Sequence, residues 1–145
     1  MSDYPACVTV LLGEEIAFST ETLQVVREYA ASRPWRGTRL EQRQKVRRLY
    51  AGLTRAHGVT SLRIVFGGQT DCDSTRSCYL PRFHTVVLRG PRISVVTALH
   101  EFGHHLGLDE HGACAYSLQL FRQCFPKSFA RCVPDGHMLR ARRTT

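Results

Sequence analysis

The chain has 145 residues, of which 43% are hydrophobic and 22% are charged, as in an ordinary globular domain, and this excludes a disordered or fibrous protein. Its formal net charge of +8 favours anionic partners without identifying one. The longest apolar run near the start, residues 7–12, is too short to cross a membrane and lacks the basic flank of a signal peptide, so we expect a cytoplasmic protein.

The first half of the chain predicts one strand region and two helices. Residues 8–19 combine β-branched residues with a Gly-Glu-Glu turn, which indicates a strand or a hairpin. Thr20 is a suitable N-cap for a helix that ends before Pro34. Residues 40–57 place apolar side chains on one helical face and basic side chains largely on the others. They predict an amphipathic helix with a basic outer side, and Gly58 is expected to end it.

Two further strands are expected in the middle of the chain. Residues 61–68 and 83–90 are rich in β-branched and aromatic side chains, and the polar residues 67–76 form a loop between them. Pro91 fits the first turn of the helix that follows, because its missing N–H group would have no helical partner there. Gly107 is well placed to end this helix.

A last helix is expected over residues 112–125, where Pro126 stops it. The basic residues 138–145 are expected to form a solvated tail. The order of elements predicts one α+β domain over residues 1–145, in which a small sheet packs on helices.

Six cysteines are spread over the chain: Cys7, Cys72, Cys78, Cys114, Cys124 and Cys132. No two of them have the C-x-x-C spacing that is typical of a structural zinc site. Without a signal peptide we expect free thiols, since the cytoplasm keeps cysteines reduced. Disulfides between Cys72 and Cys78, or between Cys124 and Cys132, are the alternatives that the sequence spacing leaves open.

One short motif carries most of the chemistry. His100 and His104 are four residues apart within a segment that predicts a helix, so both imidazoles lie on one face and can chelate a zinc ion. Glu101 lies at the edge of that face, where its carboxylate can reach a zinc-activated water without binding the metal itself. The pattern predicts one zinc ion per chain, with Glu101 as the general base.

The sequence HEFGH resembles the H-E-x-x-H core of the zincin metallopeptidases. The order of elements over residues 40–125 is also similar to their minimal catalytic domain, in which an active-site helix precedes a second helix. The resemblance extends to the metzincin and gluzincin branches and to small phage and bacterial peptidases. It implies a zinc-dependent endopeptidase that acts on a protein or peptide substrate.

Three residues compete to be the third zinc ligand. The metzincin pattern places its third histidine at the position of Glu110, and gluzincin-like members use a glutamate on the following helix, so both templates indicate Glu110. His111 and Asp109 stay open as alternatives, because imidazole nitrogen and carboxylate oxygen are both normal zinc ligands. Asp109 is otherwise expected to accept a hydrogen bond from a ligand histidine.

Two other histidines lie near this motif. His105 follows His104 directly and must point about 100° away from it on an ideal helix, so we expect a packing or surface role. His84 falls within the predicted strand 83–90, and zincins use the corresponding strand as an edge along which an extended substrate binds. We therefore expect a peptide to pair with that strand by backbone hydrogen bonds.

Other functions fit parts of the sequence. The arginine-rich residues 36–55 and the basic tail favour a nucleic-acid-binding module, although a solvated helix face gives the same pattern. A protease that acts on DNA-bound proteins combines both interpretations. A zinc-bearing fold without peptidase activity is the third alternative, and the presence of Glu101 argues against it.

Overall fold

The computed structural model of the chain describes residues 15–67, 76–90, 92–135 and 138–141. The described helices and strands are, in chain order, α1 (Thr20–Ala31), α2 (Arg39–His57), β1 (Arg63–Phe66), β2 (Cys78–Leu80), β3 (Thr85–Leu88), α3 (Val95–His105), α4 (Glu110–Cys124), α5 (Pro126–Ala130), β4 (Cys132–Asp135) and β5 (Met138–Ala141). A turn of 3₁₀ helix, Pro81–Phe83, joins β2 to β3. The predicted α+β class is confirmed.

The larger sheet is small and mixed. Its strand order is β1–β3–β2, with β1 parallel and β2 antiparallel to β3. The central strand β3 is buried at all of its positions, as its run Thr-Val-Val-Leu suggests. Strands β4 and β5 form a separate antiparallel pair. Among the described residues β3 is therefore paired on both sides, and β1 and β2 are the two edge strands.

The core lies between the helices and one side of this sheet. Helix α3 packs against α4 and against β2 and β3, while α1 packs against α2 and α4. Apolar side chains from every layer are fully buried here, including Val26, Leu53, Val86, Leu99, Phe102 and Leu120. The hydroxyl of Tyr50 donates a 2.7 Å hydrogen bond to the carbonyl of Ala98, which ties α2 to α3 inside the core. Helix α3 is thus held in place from several sides.

Helix α2 has the amphipathic character that the sequence predicts. Val46, Leu49, Tyr50 and Leu53 are all buried on one face. Thr38 and Glu41 form a reciprocal capping box at its start. Its predicted end is also confirmed, because Gly58 adopts the left-handed conformation with φ of 64°.

Three helices begin at positions that differ from those expected. Ser19, not Thr20, caps α1, because the Ser19 hydroxyl accepts the N–H of Thr22 at 3.1 Å. The Ser94 hydroxyl caps α3 in the same way, so this helix begins at Val95, four residues after the expected Pro91. Helix α4 begins two residues before the predicted start, at Glu110. Local capping by short polar side chains decided all three starts.

Several sequence-based expectations fall wholly or partly outside the described residues. These are the strand or hairpin at residues 8–14, the loop at residues 68–75, the disulfide alternative that involves Cys72, the role of Pro91 and the end of the basic tail at residues 142–145. Within the described part, residues 15–19 form no strand, and residues 138–141 form β5 instead of a tail. Cys124 and Cys132 are both free thiols, so the disulfide considered between them is absent. None of the described helices combines the length and the apolar character needed to cross a membrane.

Candidate metal centre

Two histidines one turn apart on α3 face the same side. The ring centroids of His100 and His104 are 4.9 Å apart, and both side chains are partly exposed. Leu99 and Phe102 occupy the opposite side of α3 and are fully buried in the core. Because that apolar side fixes the rotation of the helix, the two imidazoles are held at its accessible side.

A close approach between α3 and α4 brings the next candidate group to the histidines. A Cβ atom at Gly103 would lie 3.0 Å from the Cα atom of Ala113, so glycine is needed where the two helices touch. Gly107, with φ of 88°, lets the chain turn after α3. The carboxylate of Asp109 then accepts the N–H of Gly112 at 2.7 Å and caps α4. Glu110 consequently occupies the first position of α4.

The carboxylate of Glu110 lies between the two imidazoles. Its Oε1 atom is 3.0 Å from Nε2 of His100, and its Oε2 atom is 3.0 Å from Nε2 of His104. Three predicted ligands thus converge from two helices. His111 is exposed, and among the described residues it belongs to no group that could hold a metal ion. Asp109 was expected to accept a hydrogen bond from a ligand histidine, but its carboxylate instead caps α4.

The hydrogen bonds of His104 indicate which nitrogen is available to a metal. Its Nδ1 atom lies 2.9 Å from the carbonyl oxygen of Leu108, which can only accept, so Nδ1 donates. In the neutral ring Nε2 then carries a lone pair, and this lone pair faces the Oε2 acceptor of Glu110. Two acceptors at 3.0 Å require a proton or a cation between them. A backbone carbonyl that fixes a histidine in this way is typical of metal sites.

The distances fit one ion bound by all three side chains. Two ligand atoms at about 2.0–2.1 Å from a tetrahedral zinc ion are about 3.3–3.4 Å apart. The two contacts of Glu110 are close to this separation. Burial lowers the pKa of His100 against the opposing effect of Glu110, and a neutral imidazole is the form that binds a metal. The three side chains are therefore close enough to hold a metal ion, and their chemistry suits zinc.

Glu101 occupies a different environment from Glu110. It is only 5% exposed, and one of its carboxylate oxygens lies within 4.8 Å of ligand atoms of both His100 and His104. Burial raises the pKa of Glu101 to about 7, with a smaller opposing effect from His104. Burial thus gives the two carboxyl groups of this site different environments. The exposed Glu110 suits metal binding, and the buried Glu101 suits proton transfer.

The centre opens into a large cleft of about 1090 Å³. The cleft is bordered by Cys78 and Tyr79 of the edge strand β2. The lining also includes the aromatic side chains of Trp35, Phe121 and Phe125. The space next to the histidines is therefore large enough for a small ligand or a segment of peptide.

His84 and His105 lie beside the centre without joining it. His84 is not part of a strand: it lies in the turn before β3, with a left-handed φ of 44°. His105 has a packing role, as expected, because its Nε2 atom donates to the carbonyl of Thr60 at 2.6 Å and its Nδ1 atom is 2.8 Å from the hydroxyl of Tyr79. His105 thereby links α3 to the edge strand β2.

Two residues near the site were not singled out from the sequence for a role there. Tyr79 has no motif around it, and only the pairing of β2 with β3 brings its hydroxyl to His105. Cys114 lies four residues after Glu110, a spacing that places both on one helical face once α4 is known to begin at Glu110. That spacing was the one available signal for Cys114.

Comparison of the chain with protein-family models, with curated proteins and with solved structures finds no match. The site itself is therefore the basis for assigning a function. Its described residues form a His/Glu/Cys site whose ligand atoms are close enough to hold a metal ion.

Proposed function

We propose that this protein is a zinc-dependent peptidase of the zincin type. The observation that carries the proposal is the position of Glu110, whose two carboxylate oxygens each lie 3.0 Å from an Nε2 atom of the histidine pair. Three protein ligands leave one position of a tetrahedral zinc ion open, which is the arrangement of catalytic zinc. The resemblance of HEFGH to the zincin core supports the same conclusion.

Glu101 is the residue that we assign to proton transfer. Bound zinc would supply the polarisation of the scissile carbonyl and of the attacking water. Glu101 then takes a proton from the water and delivers it to the leaving amine. Its burial supports this role, since a carboxyl group with a pKa of about 7 can accept and release a proton near neutral pH.

The substrate is expected to bind along β2 and not along β3. Strand β3 has neighbours on both sides, whereas β1 and β2 are edges of the described sheet. Of these two edges, β2 borders the cleft, through Cys78 and Tyr79. An extended peptide can add to such an edge by backbone hydrogen bonds. The earlier expectation that the predicted strand 83–90 provides this edge is wrong, because residues 85–88 are the centre of the sheet.

Replacing Glu101 by glutamine tests this function. An amide keeps the shape of the side chain but cannot accept the proton, so hydrolysis of a casein-type substrate by Glu101→Gln should fall by about 10²–10⁴-fold. Zinc content, measured by elemental analysis, should stay the same. Glu28→Gln, an exposed change on α1, is the matched control and should keep full activity.

Two results would overturn the assignment. Hydrolysis by Glu101→Gln at the rate of the unchanged protein would show that Glu101 is not the base. Absence of hydrolysis by the zinc-loaded, unchanged protein over a panel of unfolded protein substrates would favour a zinc-bearing fold without peptidase activity.

The nucleic-acid-binding alternative has weaker support. Two arginines of α2, Arg43 and Arg47, lie over the ring of Phe66 with their guanidinium carbons 4.9 and 5.1 Å from its centroid. These side chains already cover apolar surface of the chain itself. A basic surface with such internal contacts favours a solvated helix face over a dedicated nucleic-acid site.

A further inference from the structure

Cys114 lies beside the metal centre, one turn after Glu110 on α4. Its Sγ atom is 3.8 Å from Oε1 of Glu110. The Sγ atom, a carboxylate oxygen of Glu110 and a ring nitrogen of His100 all lie within 4.8 Å of one another. His100 and Glu110 are thus shared between the proposed zinc site and a second possible ligand group that contains sulfur.

The separation between sulfur and oxygen is the one expected for two ligands of the same ion. A thiolate at about 2.3 Å and a carboxylate oxygen at about 2.0–2.2 Å from a tetrahedral zinc ion are about 3.6 Å apart. The observed 3.8 Å is close to this value and is long for a hydrogen bond. The spacing of Glu110 and Cys114 on one helix holds both on the same side of α4.

We propose that Cys114 is a fourth ligand of the metal in the resting protein. This inference rests on the proposed function, because it describes how the site of that peptidase is regulated. Two imidazoles, one carboxylate and one thiolate complete a tetrahedral zinc shell and close it to water. The thiol releases its proton to solvent as the sulfur binds the metal, and takes a proton up again when it leaves.

The consequence is a peptidase with reduced activity, because the zinc ion is open to water only in those molecules whose Cys114 has moved away. Glu101 lies close enough to both histidines to be a possible ligand itself. The four proposed ligands leave it unbound, so it is available for proton transfer once the fourth position opens. The thiolate also affects which metal ion the site prefers. Soft sulfur favours zinc over magnesium and calcium, which prefer oxygen ligands.

Cobalt substitution tests the inference by a signal that is independent of peptidase activity. Metal-free protein is loaded with Co²⁺, and the absorption spectrum is recorded for the unchanged protein, for Cys114→Ser and for Cys78→Ser. Serine keeps a hydrogen-bond donor near Glu110, so a role limited to hydrogen bonding survives the change. Cys78 borders the same cleft on β2 and provides the matched control.

We expect the near-ultraviolet charge-transfer band of a cobalt–thiolate bond in the unchanged protein and in Cys78→Ser. The band should be lost in Cys114→Ser, whose weaker visible cobalt bands should persist because His100, His104 and Glu110 still bind. Zinc affinity of Cys114→Ser should fall by at least the factor of about 10–100 that is typical of losing an outer hydrogen-bond partner. Its peptidase activity should rise.

Three outcomes would contradict this inference, and they can be told apart. Cobalt bound without a thiolate band in the unchanged protein would overturn the role of Cys114 and leave the proposed peptidase standing. A thiolate band that persists in Cys114→Ser would assign the sulfur to another cysteine. Failure of the unchanged protein to bind either cobalt or zinc would overturn both the inference and the proposed function.

Discussion

The metal centre and the basic face of α2 are both clusters of ionisable side chains, but they are built differently. The metal centre takes His100 and His104 from α3 and Glu110 from α4, and their nitrogen and oxygen atoms approach to 3.0 Å. Glu101 adds a buried carboxyl group next to them. Complementary groups from two elements thus converge on one point, where they can share a ligand.

The basic face of α2, which comprises Arg43, Lys45, Arg47 and Arg48, belongs to a single helix. Two of its arginines cover the ring of Phe66, and the Lys45 ammonium donates to the carbonyls of Arg33 and Arg36 at 2.9 and 3.0 Å. Three of these four cations therefore make contacts within the chain, and all four belong to one helix. Convergence of side chains from separate elements is the better indicator of a functional site.

The largest stability effect is expected at Glu101. Burial raises its pKa from 4.5 to about 7, so the folded state binds more protons than the unfolded state between these values. Stability of the metal-free protein should therefore fall as pH rises from about 4.5 through about 7. Glu101→Gln removes this loss. In urea unfolding it should stabilise the metal-free protein by about 3 kcal/mol at pH 8 and by little at pH 4.

Glu41 on the capping box of α2 is the control for that experiment. Its hydrogen bonds with Thr38 lower its pKa, so its charged form stabilises the folded state above the unfolded pKa and Glu41→Gln should give no gain at pH 8. Equal pH profiles of unfolding for Glu101→Gln and the unchanged protein would show that the Glu101 carboxyl group is not held in a desolvated position.

The second-largest effect on stability is expected at Gly103, where α3 contacts α4. Gly103→Ala places a Cβ atom 3.0 Å from the backbone of Ala113, so α4 must shift together with Glu110. We expect a net loss of stability of about 1–2 kcal/mol, since overpacking outweighs the better helix propensity of alanine. Zinc affinity, measured by competition with a chelating dye, should fall about tenfold.

Gly52→Ala is the matched change away from the metal centre. A Cβ atom there would lie 2.7 Å from Cγ1 of Val25, at the contact between α1 and α2. It should also destabilise the fold but should leave zinc affinity unchanged. Equal losses of zinc affinity in both variants would mean that general loosening, and not the position of α4, controls the metal centre.

The smallest effect on stability is expected for a change on the basic face of α2. Arg47→Ala removes one of the two guanidinium groups over Phe66, and such an exposed cation–π contact contributes about 0.5–1 kcal/mol. Zinc affinity should not change, and a labelled DNA duplex should not shift with the unchanged protein at low salt. A shift that weakens steeply with salt and is lost in Arg47→Ala would instead support the nucleic-acid alternative.

The sequence was most informative where one helix carried the whole signal. The spacing of His100 and His104 placed two imidazoles on one face, and the apolar series Val46, Leu49 and Leu53 predicted the buried side of α2. Each pattern consists of residues at helical spacing within a single helix. They therefore needed no knowledge of how distant parts of the chain pack together.

The features that the sequence did not predict depend on packing between residues that are distant in the chain. The position of β3 at the centre of the sheet depends on its pairing with both β1 and β2, and this moved the expected substrate edge to β2. The role of Asp109 depended on where α4 begins, because a short carboxylate could either cap that helix or reach a histidine. The approach of Cys114 to His100 similarly requires the contact between α3 and α4.

The most direct test of the metal centre is the zinc affinity of three proteins: unchanged, Glu110→Ala and His111→Ala. We expect about one zinc ion per chain in the unchanged protein, since the two possible ligand groups among the described residues share His100 and so form one centre. Glu110→Ala should weaken binding by about tenfold or more, because it removes the carboxylate that bridges both histidines, whereas the neighbouring His111→Ala should change it far less. Absence of bound zinc in the unchanged protein, or a larger loss for His111→Ala than for Glu110→Ala, would contradict the account.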